Sequence, residues 1–230
     1  MNSPNNPGGY RHDDPRYGLS GQALLDYYLS RPPAFYVRSL YMPDSLHLRK
    51  SAIDLHLAHM RNYTDQISFS GPLLDDDASA PIGTMAVINV ADRKAAKTFA
   101  AEDGFAQAGM LQPSQIIRFI SSKRLTQKEY KPDPDLQMFV CECLDGPDAP
   151  TFRKQSAAEH HTYQGSIIDR YVVHGPLRSD DGRTLLGSLF IIEVADRAMA
   201  EDLIENEPMT KAGVFSEINI YRWRYGKALT

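Results

Sequence analysis

Two cysteines, one tryptophan and no uninterrupted apolar stretch near the ~20 residues of a membrane span are what this 230-residue sequence has least of. Cys141 and Cys143 lie two apart in a predicted strand, and neither a second pair nor a His at ligand spacing completes a zinc site. They read as small half-buried residues, with a redox pair as the alternative. A Gly-rich phosphate loop, a nucleophile elbow and an HExxH motif are also missing, which removes most cofactor and hydrolase classes. The expectation is therefore no cofactor and no metal. An excess of basic charge is absent too: 25 Lys and Arg mix with 29 Asp and Glu for a net charge of −4. Without a basic stripe, nucleic acid is not an expected partner. The first residues lack the apolar segment of a secretory signal, so no membrane association and a cytoplasmic location are expected.

What is present is a repeat. HLAHMRNYTDQISFSGPLLDDD at 56–77 lies over HHTYQGSIIDRYVVHGPLRSDD at 160–181 without a gap, every matched position 104 residues apart. Over the pairs from 35 to 118, 24 of 84 are identical, where average usage gives about 5 by chance. Duplication is the economical explanation. It divides the chain into an N-terminal extension (1–32) with a short helix in QALLDYYLSRPP, a first copy (33–123), an extended charged linker carrying KPDPD (124–136) and a second copy (137–230).

Each copy reads as strand, helix, strand, strand, helix, strand. AFYVRSLYM and MFVCECL open the copies, and a helix follows in which apolar residues recur at helical spacing. QISFSGPL and RYVVHGPL end in Gly-Pro and acidic residues, a turn signal. GTMAVINV and GSLFIIEV suit central strands, and Asp92 and Asp196 stand where an N-cap opens the next helix. The order βαββαβ is the ferredoxin-like unit, an α+β fold with both helices on one sheet face. The other face is left bare. In EINIYRWRY, Ile218 and Ile220 alternate with Asn219, Tyr221, Trp223 and Tyr225, which gives that face aromatic and polar character. Two copies packed sheet to sheet would form an intramolecular dimeric α/β barrel, a pseudo-dimer open to further association as a homo-oligomer.

These elements carry a resemblance. HLA at 56–58 with SGPL at 70–73, HHT with HGPL in the second copy, and the acidic residue followed by Ala-Gly (Asp103-Gly104-Phe105 with Ala108-Gly109, Glu207-Pro208-Met209 with Ala212-Gly213) resemble the YciI-like (YCII-related) family. The resemblance implies a dimeric α+β barrel with a His-Asp pair in a pocket for acid-base chemistry on a small-molecule substrate.

His56 and His160 are the first candidate catalytic residues. His56 shares a helix face with Ile53, Leu57 and Met60 and so points toward the sheet, where a neighbouring carboxylate would tune it for proton transfer. A core histidine bonded to a backbone carbonyl is the competing reading. Asp103 and Glu207 are the candidate orienting carboxylates, against acidic residues solvated at a helix end. Arg49 and Arg153, two helical turns before each His, are candidate substrate anchors, with solvated helix-start residues as the alternative. Tyr221 and Trp223 are candidate stacking residues, with packing as the alternative. Arg118 and Arg222 suit interface ion pairs. The acidic clusters at 75–77 and 180–181 suit turn chemistry better than calcium, and His59, His161 and His174 do not recur. The function expected is a cofactor-independent lyase or isomerase acting on a small anionic, unsaturated or aromatic catabolic intermediate. A small-molecule-binding or assembly module and a cofactor-free oxygenase are the alternatives.

Overall fold

The computed structural model describes Asn6, residues 11–122 and residues 125–226; parts of the N-terminal extension and linker, and the last four residues, lie outside it. A helix, α1 (Gly21–Leu29), precedes the first copy. That copy runs β1 (Ala34–Leu40), α2 (Arg49–Asn62), β2 (Ile67–Leu74), β3 (Pro81–Asn89), α3 (Arg93–Glu102), a one-turn α4 (Gly104–Gln107) and β4 (Gln115–Phe119). The second runs β5 (Gln137–Asp145), α5 (Ala149–Ser166), β6 (Tyr171–Arg178), β7 (Leu185–Val194), α6 (Arg197–Glu205), a one-turn α7 (Pro208–Lys211) and β8 (Phe215–Trp223). Asp92 and Asp196 cap α3 and α6, accepting from the amides of Ala95 and Met199. Among the described residues no helix is long and apolar enough to cross a membrane.

The strands close into one antiparallel barrel in the order β1-β3-β2-β8-β5-β7-β6-β4. The copies join at their edges. Leu73 pairs with Trp223 and Leu74 with Arg222 at one seam, and Phe119 with Leu177 and Arg118 with Arg178 at the other. Alternation along each strand then sorts the side chains. Phe35, Val37, Ala86 and Ile88 pack under the helices of the first copy, and Phe139, Cys141, Phe190 and Ile192 under those of the second. Tyr36, Phe69, Met85, Val140, Leu189 and Trp223 fill the lumen. Cys141 and Cys143 are fully buried and unpaired, and burial pushes both thiols up, away from the thiolate that redox chemistry needs.

Gly71-Pro72 and Gly175-Pro176 do not form the turns that the sequence suggests; they lie inside β2 and β6. Their glycines are required by the seams. A Cβ on Gly71 would lie 2.0 Å from the Arg224 carbonyl oxygen, and one on Gly175 would lie 2.0 Å from that of Ile120. A glycine inside a strand here marks the close approach of another backbone. The acidic clusters do make the turns. Asp75 accepts from the amide of Ala80 and Asp181 from that of Arg183. They also bridge the copies, since Asp76 pairs with Arg197 and Asp180 with Arg93. These exposed pairs contribute at most about 1 kcal/mol each. Arg118 and Arg222 hydrogen-bond the Asp180 and Asp76 backbone carbonyls and, among the described residues, form no ion pair.

Inside the lumen one charged pair bridges the barrel. β1 and β5 stand opposite each other in the ring, and Arg38 donates from Nε and Nη2 to both carboxylate oxygens of Glu142, at 3.1 and 3.2 Å. Gln115 accepts from the same guanidinium and Asn219 donates to the same carboxylate. Burial, then the charge of Glu142, pushes the neighbouring Tyr36 hydroxyl well above its ordinary range. Removing one partner of a buried pair leaves the other charge uncompensated, so Arg38→Met is expected to destabilise the chain by about 3–5 kcal/mol. Urea denaturation of the double variant Arg38→Met/Glu142→Leu should show most of that loss recovered.

Candidate active site

The first-copy site begins on α2, whose inward face carries Arg49, Ile53, His56 and Met60 toward β2 and β3. The one-turn α4 lies against α2 so closely that a Cβ on Gly104 would come within 2.5 Å of the His56 amide nitrogen. This approach delivers Asp103. Its carboxylate lies 2.9 and 2.8 Å from His56 Nδ1 through its two oxygens, and Oδ1 also accepts the Phe105 amide at 2.8 Å as the N-cap of α4. Asp103 is buried, not solvated at a helix end. An ionised carboxylate only accepts, so Nδ1 carries the hydrogen, and in the neutral imidazole Nε2 is the nitrogen with the lone pair. The Phe105 ring stacks on the imidazole at 4.1 Å, and its face also receives the Arg49 guanidinium at 5.6 Å.

His56, Arg49 and Phe105 line a cavity of about 320 Å³ with Tyr41, Ser70, Met85 and Arg224. It lies between α2 and the strands at the β2–β8 seam, outside the lumen. A second cavity of about 340 Å³ opens near Phe69, Phe119 and Val173, but its lining contains no histidine. Among the described residues no acidic side chain pairs with Arg49, and its buried Nε has no hydrogen-bond partner. Partial burial raises the Tyr41 hydroxyl above its ordinary range, and Arg49 beside it opposes the shift. Among the described residues no three His, Cys, Asp or Glu side chains gather as metal donors.

The YCII-related domain matches residues 34–120 and 138–224. The chain belongs to the YCII-related family. No curated protein matches it. Among solved structures it is similar to 5-chloro-2-hydroxyhydroquinone dehydrochlorinase from Burkholderia phenoliruptrix AC1100, 29% identical, covering 39% of this chain and 96% of that one, with a TM-score of 0.37. It is similar also to chlorite dismutase from Candidatus Nitrospira defluvii, 8% identical, covering 86% and 94%, with a TM-score of 0.55. A heme-binding protein from Thermus thermophilus is 11% identical, covering 86% and 93%, with a TM-score of 0.54. The last two likenesses show the shared barrel fold.

The two YCII-related copies differ at this site. In the second, His160 Nδ1 bonds Glu207, whose other oxygen accepts the amides of Met209 and Thr210 at 2.8 and 3.2 Å. The extra methylene of Glu is thus accommodated. Arg153, however, is held by Asp145 through two hydrogen bonds of 2.8 and 2.6 Å, and also reaches Met209 and Ser188. The position equivalent to Asp145 in the first copy is Tyr41. Nothing in the sequence of one copy alone shows this difference; comparing positions 41 and 145 across the repeat would have found it. Tyr221 and Trp223 line neither cavity. Trp223 is buried in the lumen core, and the Tyr221 ring lies 5.6 Å from the Arg38 guanidinium.

Because backbone atoms of His56 and Leu55 block a Cβ at Gly104, Gly104→Ala must push α4 away from α2. A loss of about 1–3 kcal/mol is expected. Nitrogen NMR of the His56 ring should show the Nδ1 hydrogen losing its protection from exchange.

Proposed function

We propose that the first copy is a cofactor-independent lyase or isomerase acting by proton transfer on a small anionic ring or unsaturated compound. The observation that supports this is a His56–Asp103 dyad set at a cavity where Arg49 has no acidic partner among the described residues. His56 Nε2 would remove a proton from carbon beside a carbonyl, and the C–H electron pair would become the enolate double bond. Asp103 would stabilise the imidazolium formed. Arg49 would hold the acidic group of the substrate and balance the growing negative charge. Return of the proton at another carbon completes an isomerisation; departure of a leaving group with its bonding pair completes an elimination. The second copy, with Arg153 occupied by Asp145, would serve as scaffold.

The test is proton NMR in D₂O on the purified chain with a panel of small ring acids, lactones and hydroxyquinols, including the substrate named for the Burkholderia enzyme. His56→Asn is expected to slow turnover by about 10²–10⁴-fold while sparing affinity, and His160→Asn to leave turnover near that of the natural chain. A chain that binds a panel member but exchanges no proton and releases no leaving group is a ligand-binding module, and the proposal fails. Oxygen uptake during turnover would instead mark an oxygenase. Tyr41→Asp places in the first copy the carboxylate that occupies Arg153 in the second. It is expected to lower kcat/KM by about tenfold or more, read from initial rates.

A further inference from the structure

The cavity beside His56 is not built by the first copy alone. Beyond β8 the chain continues through Arg224 and Tyr225 to Gly226, whose amide donates to the Ser70 carbonyl at 2.9 Å. The Arg224 carbonyl passes over Gly71, at the one place in β2 where a Cβ would block it. This tail of the second copy brings Arg224, an exposed residue, into the wall of the first copy's cavity, which Arg49 on α2 also lines. Among the described residues Arg224, like Arg49, has no carboxylate partner. The carboxylate in the site, Asp103, is already engaged by His56 and the Phe105 amide. The cavity is therefore lined by two arginines without a carboxylate partner and, among the described residues, by no acidic side chain.

The other seam repeats the backbone geometry without the charge. Ile120 lies over Gly175 as Arg224 lies over Gly71, and the Ser122 amide donates to the His174 carbonyl at 2.9 Å as Gly226 does to Ser70. The residue equivalent to Arg224 is thus Ile120, while Arg153 is held by Asp145. Both arginines needed for an anion are available at one site and at neither counterpart. A cavity of about 320 Å³ lies at the small end of ligand sites, which span about 300–1,000 Å³, and holds a single substituted ring. Ile53, Leu57, Met60 and Phe105 supply apolar walls.

We propose that Arg224 is a second substrate anchor and that the site selects a single-ring or similarly compact unsaturated compound bearing two acidic groups, one held by Arg49 and the other by Arg224. This rests on the reading of the His56 cavity as the substrate site. A monoanion would leave one guanidinium unpaired, whereas a dianion can engage both through charge-assisted hydrogen bonds.

Equilibrium titration of the full chain with benzoate and the three benzenedicarboxylates tests the proposal. At least one dicarboxylate is expected to bind about tenfold or more tightly than benzoate. Arg224→Gln should abolish that preference while leaving Tm unchanged, and Arg183→Gln, which removes an exposed charge elsewhere, should leave the preference intact. Equal binding of mono- and dicarboxylates, binding of neither, or a preference that survives Arg224→Gln overturns the second anchor. Since the readout is binding, a chain that shows the preference but turns nothing over keeps the two-arginine site and loses the lyase reading. His56-dependent turnover without the preference does the reverse.

Discussion

Each copy of this chain makes a four-stranded sheet with helices over one face and a bare face of large side chains opposite, and that bare face can be buried only against the other copy. Barrel closure follows from this constraint. Tyr36, Phe69 and Met85 from one half meet Val140, Leu189 and Trp223 from the other in a shared lumen. The Arg38–Glu142 pair shows what fusion permits. Positions 38 and 142 are equivalent, so a symmetric homodimer would place two arginines or two glutamates face to face across its axis. With both copies on one chain the positions diverged to opposite charge, and a contact that would repel became a hydrogen-bonded pair. Burying it still carries a desolvation penalty. Its plainer effect is to disfavour pairing of two first copies or two second copies from different chains.

The seams link the fold to the site. Closure requires the chain after β4 and after β8 to cross a glycine of the opposite copy. At the β2–β8 seam the same crossing brings Arg224 of the second copy to the cavity of the first. At the other seam the equivalent residue is Ile120. Tyr41 and Asp145, Phe105 and Met209, Arg224 and Ile120 are all equivalent pairs, and in each the first-copy site has the member that leaves a cationic, aromatic-walled space. These three differences fall on the pocket, while the N-caps, seam glycines and cross-copy ion pairs remain duplicated. Such a pattern separates what holds the barrel together from what distinguishes its two sites.

Much of the fold was legible because local signals and the repeat agreed. The alternation in EINIYRWRY places Ile220 under the helices and Trp223 in the lumen, and Asp92 and Asp196 cap the helices they precede. The errors have a common cause. Gly71-Pro72 carries a local turn signal, but the seam passing over it holds it in a strand. The one-turn helices were too short for periodicity to reveal, so Asp103 and Glu207 could be matched to their histidines but not recognised as buried N-caps. Tyr221 and Trp223 have the chemistry of stacking residues; which strand lies opposite them decides that they pack. Arg153 looks like Arg49 until Asp145, eight residues upstream on a different element, is seen to close on it. In each case the deciding partner is distant in space from what a sequence window samples.

The two dyads sharpen the question of where chemistry would reside. Both carboxylates accept backbone amides at the start of a short helix and both meet a histidine Nδ1. In the proposed reaction either histidine could serve as base from Nε2, and proton abstraction would also require a partner for the negative charge that appears on the substrate. In the second copy that partner is neutralised in advance, because Asp145 already satisfies Arg153. In the first, Arg49 keeps a buried Nε without a hydrogen-bond partner. A polar atom left so carries a desolvation cost, and an arriving anion would remove that cost while gaining its own ion pair. Under the proposed proton transfer, a developing enolate would therefore gain more stabilisation beside His56 than beside His160, although each imidazole is held through Nδ1 by a carboxylate.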